Sequence, residues 1–214
     1  MKNTNYDAFI FDLGRVLVDF DHNISAAKIA KLTGKPQEWL YQLFFESELT
    51  KLFDEGKVSP REFYAELKKL TGLDISFDEF VLIWVDIFSQ KDDMFELVKC
   101  LKNDYRLVLM SNVNTLQFEY IRKNFPIIAE FDGLVLSYEA GAMKPDPKIY
   151  QAAISAAKTT PEKIIYTDDR PELIEGGKKA GIRKSFVFSN LESFVSDLNV
   201  IGVEINECME AIKS

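Results

Sequence analysis

The stretch Phe9-Ile10-Phe11-Asp12-Leu13-Gly14-Arg15-Val16-Leu17 decides how the rest of the chain is read. An apolar run that ends on a carboxylate marks a buried strand meeting a polar site, because a buried acid is costly unless something pairs with it. Alone, Asp12 reads as a helix or turn cap. Three further segments carry related signatures. Leu107-Val108-Leu109-Met110-Ser111-Asn112 closes an apolar run on polar groups, where Ser111 by itself reads as an N-cap. Gly141-Ala142-Met143-Lys144-Pro145-Asp146-Pro147 sets one cation before a proline-started helix, and surface lysines are common. Ile164-Ile165-Tyr166-Thr167-Asp168-Asp169 crowds two carboxylates onto one strand end, and two like charges there need a cation.

Strand-like runs recur at Ala8 to Leu13, Leu107 to Ser111, Gly133 to Ser137, Lys163 to Thr167 and Ser185 to Phe188. Helix-period segments, Gln117 to Asn124 and Glu172 to Ala180, follow the second and the fourth. Strands alternating with helices predict an α/β fold, a doubly wound parallel sheet of Rossmann type. Such sheets bind ligands at the carboxyl ends of their strands. Those ends carry Asp12, Ser111 and Asp168-Asp169.

Residues 20–90 break the alternation and read as helices without a convincing strand. Ser59-Pro60-Arg61-Glu62 is a capping box with proline at the first helical position, and Ser76-Phe77-Asp78-Glu79 repeats the signal. Two earlier helices are expected over Ile24 to Leu32 and Pro36 to Phe45. The division predicted is an α/β catalytic core of residues 1–19 and 91–214 with an inserted helical cap, 20–90. Trp39, Tyr41, Phe44, Phe45, Trp84 and Phe88 are assigned mostly to the cap's own core by helical spacing.

Composition narrows the function classes. The 214 residues include 34 acidic and 26 basic side chains, a formal charge of −8, with 47% hydrophobic and 13% aromatic residues. That excludes disorder for most of the chain and argues against nucleic acid or an anionic membrane as partner. No apolar run reaches the ~18 residues of a membrane span, and the N-terminus lacks the apolar run of a secretion signal. A cytoplasmic monomer or homodimer is expected. Cys100 and Cys208 sit in helix-like surroundings, so neither a disulfide framework nor a Cys-ligated metal is expected, and both are assigned to packing.

Together the four segments fit one reaction. A carboxylate nucleophile attacks phosphorus, a hard oxygen-liganded ion such as Mg²⁺ neutralises nucleophile and substrate, and a lysine and a hydroxyl hold the non-bridging oxygens. In these motifs and their order the chain resembles the haloacid dehalogenase superfamily, over nearly its whole length and with the helical cap of the subclass I members. The resemblance implies that Asp12 is the nucleophile forming an aspartyl-phosphate and that Ser111 with Asn112 binds phosphate. It implies that Lys144 orients Asp12 and offsets anionic repulsion, and that Asp169, with Asp168 ligating or just behind it, holds Mg²⁺ beside Asp12. Glu172 is a weaker candidate behind those ligands.

One position departs from the pattern. The family's phosphatases carry a second Asp two residues after the nucleophile as general acid/base; here it is Gly14, whose backbone carbonyl can still ligate metal. Variants with Asp-Leu-Gly-x-Val-Leu are similar to a branch of bacterial sugar-phosphate phosphatases, which implies a small phosphorylated metabolite as substrate. Asp21 or His22 could supply the missing proton or contact substrate, or be polar residues of a solvated linker. Arg15 could clamp a phosphate or point to solvent. Phe53-Asp54-Glu55-Gly56-Lys57 resembles the family's substrate-specificity loop. Three rivals stand beside the phosphatase: a 2-haloacid dehalogenase, a phosphomutase and a non-catalytic phospho-ligand-binding protein.

Overall fold

Parallel pairing starts from the quoted strand. In the computed structural model, which describes residues 5–205, β1 (Ala8–Phe11) is buried along its whole length. The chain then makes a short strand, β2 (Val18–Phe20), and five helices: α1 (His22–Thr33), α2 (Gln37–Tyr41), α3 (Glu48–Asp54), α4 (Pro60–Thr71) and α5 (Phe77–Val85). A π-helical segment, Gln42–Glu46, continues α2. Strand β3 (Phe88–Gln90) returns antiparallel to β2, with Phe20 opposite Phe88. Thereafter come α6 (Asp92–Lys102), β4 (Arg106–Ser111), α7 (Thr115–Asn124), β5 (Gly133–Leu136), α8 (Ser137–Ala140), α9 (Pro147–Ala157), β6 (Ile164–Asp168), α10 (Pro171–Lys179), β7 (Lys184–Val187) and α11 (Leu191–Val200).

The five-stranded sheet runs β5-β4-β1-β6-β7, every neighbour parallel. Its side chains alternate as the pleat requires. Phe9, Phe11, Leu107 and Leu109 enter one apolar layer, and Ala8, Ile10, Val108 and Met110 enter the other. A third apolar cluster lies among the helices between β2 and β3, around Phe44, Phe53, Phe63, Phe80 and Trp84. Both predicted capping boxes form, at Ser59–Glu62 and Ser76–Glu79. They satisfy free N–H groups at each helix start.

Several details differ from the sequence reading. Strand β3 lies inside the stretch read as strand-free; three residues are too few to show a two-residue period. Helix α3 takes in Phe53 and Asp54, so the loop begins at Glu55. Of the aromatic residues assigned to the cap's own core, Phe44, Phe45 and Trp84 join the helical cluster, whereas Trp39 is exposed and Phe88 packs against a sheet layer; Phe45, Trp84 and Phe88 also line a cavity. Cys100 is buried as expected, and Cys208 lies outside the described residues. The sequence also predicts a C-terminal helix from about Glu204 to Lys213, a span that lies mostly beyond Ile205, outside the described residues.

Candidate active site

Because β1 lies between β4 and β6, the residues ending these three strands share one edge of the sheet. The backbone N–H of Asp12 donates to the Thr167 carbonyl at 3.0 Å, which sets Asp12 level with Asp168. Lys144, from the loop between α8 and α9, reaches both acids. Its Nζ donates to Asp12 Oδ1 at 2.7 Å and to Asp168 Oδ2 at 2.6 Å. All three side chains are buried. Asp168 has no free oxygen: Tyr166 Oη also donates to Oδ2 (2.6 Å), and the Arg170 N–H donates to Oδ1 (3.1 Å). Burial pushes the Asp12 carboxyl up to about 7 against the pull of Lys144, and Asp168 adds to the rise. Burial by itself would lower Lys144, yet the two carboxylates hold it above the ordinary lysine value.

The remaining predicted residues separate into those the fold brings to this centre and those it directs elsewhere. Asn112 acts on the lysine loop: its Oδ1 accepts from the Lys144 N–H at 2.7 Å and its Nδ2 donates to the Lys144 carbonyl at 2.9 Å. This two-point clasp places the lysine. Ser111 is buried at the end of β4 and lines the neighbouring cavity. Gly14 lies under the ring of Phe20; a Cβ built on it would sit 2.8 Å from Phe20 Cε1. Arg15 has its guanidinium 4.4 Å over the face of Phe20 and 3.8 Å from Asp19, on the exposed side of the turn. Asp21 is exposed and caps α1, accepting from Asn23 N–H and Nδ2, bonds that hold its carboxyl below the usual range. Glu172 is exposed and paired with Arg170 at 2.5 Å.

His22 is different. Its ring stacks on Phe45 at 3.8 Å, and its Nδ1 is buried without a hydrogen-bond partner. Burial, then Arg15, pushes the imidazole down to about 4. The π-helical segment presents Phe45 between His22 and Trp84 while Phe44 stays in the helical core. π segments of this kind recur at functional sites.

A cavity of about 100 Å³ adjoins the strand edge, lined on one side by Gly14, Ser111 and Asn112 and by His22, Phe45 and Asp54 from the helical segment. Asp54 belongs to the segment that resembles a substrate-specificity loop, where the sequence by itself does not single it out. Burial pushes its carboxyl up to about 6. Asn114 Nδ2 donates to its Oδ1 at 3.0 Å, and Ser137 Oγ donates to its backbone carbonyl at 2.6 Å. Gly56, at φ +70°, continues this approach: a Cβ there would lie 2.2 Å from the Tyr138 carbonyl. The sequence signal was Asp-x-Gly at a helix end, which marks a turn equally well.

Could the centre hold a metal? Carboxylate oxygens of Asp12, Asp168 and Asp169 lie within 4.8 Å of one another. Asp169 is half-buried, and burial followed by Asp168 raises its pKa. Three acids share the single charge of Lys144, so a hard divalent cation fits the donor set. Asp12 and Asp169 have oxygens left to offer it. Asp168 Oδ2 already accepts from both Lys144 and Tyr166, which suits that oxygen to holding Lys144.

A haloacid dehalogenase-like hydrolase family model matches residues 6–181. The chain is 27% identical over 199 residues to a D-ribitol-5-phosphate phosphatase of Bacteroides thetaiotaomicron, covering 90% of this chain and 96% of that one. To a sesquiterpene phosphatase of Aspergillus oryzae it is 25% identical over 181 residues, covering 84% and 88%. A haloacid dehalogenase-family enzyme of Bacteroides thetaiotaomicron, crystallised with magnesium and inorganic phosphate, superposes with a TM-score of 0.79 at 21% identity, covering 88% and 98%. That last likeness concerns the fold alone.

Proposed function

We propose that this chain, which belongs to the haloacid dehalogenase-like hydrolase family, is a phosphomonoesterase working through Asp12. The observation that carries the reading is Lys144 bridging buried Asp12 and Asp168, with Asp169 in the same carboxylate cluster. Asp12 attacks phosphorus and becomes an aspartyl-phosphate as the alcohol leaves; water then releases phosphate and restores the carboxylate. Lys144 orients the nucleophile and stabilises charge on the transferring group. Asn112 fixes that lysine, and Ser111 Oγ would hold a non-bridging oxygen, a role supported by its position lining the cavity at the end of β4. Mg²⁺, held by Asp12, Asp169 and the Gly14 carbonyl, would neutralise nucleophile and phosphate charge together.

The substrate class we assign is a small sugar or polyol phosphate. The ribitol-phosphate relative supports it, as do the polar groups of His22, Asp54 and Asn114 around the cavity. We take residues 20–90 as a cap hinged at the β2–β3 ribbon, covering a core of residues 1–19 and 91–214. The reading needs no nucleic acid or membrane partner and takes the protein as a cytoplasmic monomer or homodimer. Among the described residues, no helix is long and apolar enough to cross a membrane.

The test is phosphate release across sugar phosphates, polyol phosphates and nucleotides, with Mg²⁺ and with chelator, for wild type and Asp12→Asn. Turnover that needs both the metal and Asp12 is expected. Activity surviving loss of either one refutes the mechanism.

A further inference from the structure

Position 14 leaves the phosphomonoesterase reading one group short. Gly14 offers no side chain, and Phe20 fills the space where one would stand. An alkoxide leaving group still needs a proton, so the cavity beside Gly14 and Ser111 has to supply it. Asp54 and His22 are the only titratable side chains that line it among the described residues. His22 is pushed down to about 4 by burial, so it is neutral near pH 7 and a poor acid. Asp21 is exposed at its helix cap and does not line the cavity.

Asp54 is presented with one oxygen committed. Asn114 Oδ1 accepts from the Gln117 N–H at 3.1 Å and from Trp84 Nε1 at 3.3 Å, two groups that can only donate. The Asn114 amide is thereby oriented, and its Nδ2 must face Asp54 Oδ1. A proton on this carboxyl therefore belongs on Oδ2, the oxygen without a hydrogen bond among the described residues. Burial favours keeping the proton, and the charges nearby are few. Glu55, next in the chain, raises Asp54 further and is itself paired with Lys57 at 2.6 Å.

We propose that Asp54 is the proton donor to the leaving alcohol, delivered from the helical segment in place of a side chain at position 14. The proposal rests on the phosphomonoesterase reading above. As Asp12 bonds to phosphorus and the P–O ester bond breaks, the Asp54 Oδ2 proton passes to the leaving oxygen. In the second half, the Asp54 carboxylate takes a proton from the water whose oxygen attacks phosphorus, and both acids return to their starting states.

The experiment compares wild type and Asp54→Asn, with Mg²⁺, on a polyol monophosphate and on p-nitrophenyl phosphate, whose leaving group needs no proton. On the polyol ester, kcat should fall by about 10²–10⁴-fold, and on the nitrophenyl ester by less than about tenfold. Equal losses on both esters, or no loss on either, overturn the proposal. If Asp54→Asn loses its fold by circular dichroism, Asp54→Ser is judged by the same ratio. If wild type turns over neither ester, the phosphomonoesterase reading itself has failed, an outcome separate from the other two.

Discussion

Lys144→Met is the perturbation that most directly tests how the centre is held together. The lysine makes two contacts, 2.7 Å to Asp12 and 2.6 Å to Asp168, with side chains 1%, 11% and 0% exposed. Removing one member of such a group leaves buried charge uncompensated, which costs about 3–5 kcal/mol. For a chain of this length each kcal/mol lowers Tm by roughly 2–4 °C, so a drop of about 6–20 °C is expected in chelator. The replacement is also close in volume, so packing contributes little. Asp168→Asn supplies the second arm. In wild type it turns an amide N–H₂ toward the Lys144 ammonium or the Tyr166 hydroxyl and costs stability. With Met at 144 the same change removes an orphaned charge, so the double variant should be more stable than the sum of the two losses. The assay is urea unfolding of all four proteins in chelator, giving the coupling energy of the cycle. A coupling of at least about 1 kcal/mol is expected; additivity within about 0.5 kcal/mol refutes the view that Lys144 and Asp168 are a buried pair.

Three other outcomes follow from the same geometry. Gly14→Asp should lose about 1–3 kcal/mol by overpacking against Phe20 and gain no turnover, whereas adding Phe20→Ala should recover stability; a stable single variant with raised kcat contradicts this. Asp54 has its folded pKa raised from 3.8 to about 6. The native state thus binds more protons than the unfolded one between those values, and stability falls as pH rises from ~4 to ~6. Asp54→Asn should remove Asp54's share of that slope, Asp12 and Asp169 keeping theirs, and leave the protein more stable near pH 7, by on the order of 2–3 kcal/mol; an unchanged slope in chemical denaturation counts against the buried placement. Ser59→Ala and Ser76→Ala should each cost about 1 kcal/mol through loss of a cap, with kcat unaltered, as thermal melts and steady-state kinetics will show.

Much of the core could be read in advance because a parallel sheet covered on both faces admits little except apolar residues. Runs such as Leu107 to Met110 and Ile164 to Tyr166 therefore stand out, and the polar residues that close them mark the strand ends. The helical segment was legible where local chemistry is self-contained, as at Ser59–Glu62 and Ser76–Glu79. It was not legible where a feature depends on a distant partner. Strand β3 exists because β2 is there to pair with it. The role of Asn112 depends on a loop 32 residues away. For Arg15 the sequence leaves an anion clamp and a solvent-facing charge equally open, and the fold sets its guanidinium over the aromatic face of Phe20.

What the amino-acid order established was the five strands of the parallel sheet, the caps, and the chemical inventory of Asp12, Ser111, Lys144, Asp168 and Asp169. Each of those signals is written within a few residues, through periodicity, capping or the cost of burying a charge. Folding decided which of these groups share a proton or a cation. The Lys144–Asp12 contact spans 132 residues and the Asn114–Asp54 contact spans 60. The shift of Asp54 to about 6 and the blocking of position 14 by Phe20 belong to the same class. Both arise from desolvation and steric exclusion, which require surrounding atoms brought in from elsewhere in the chain.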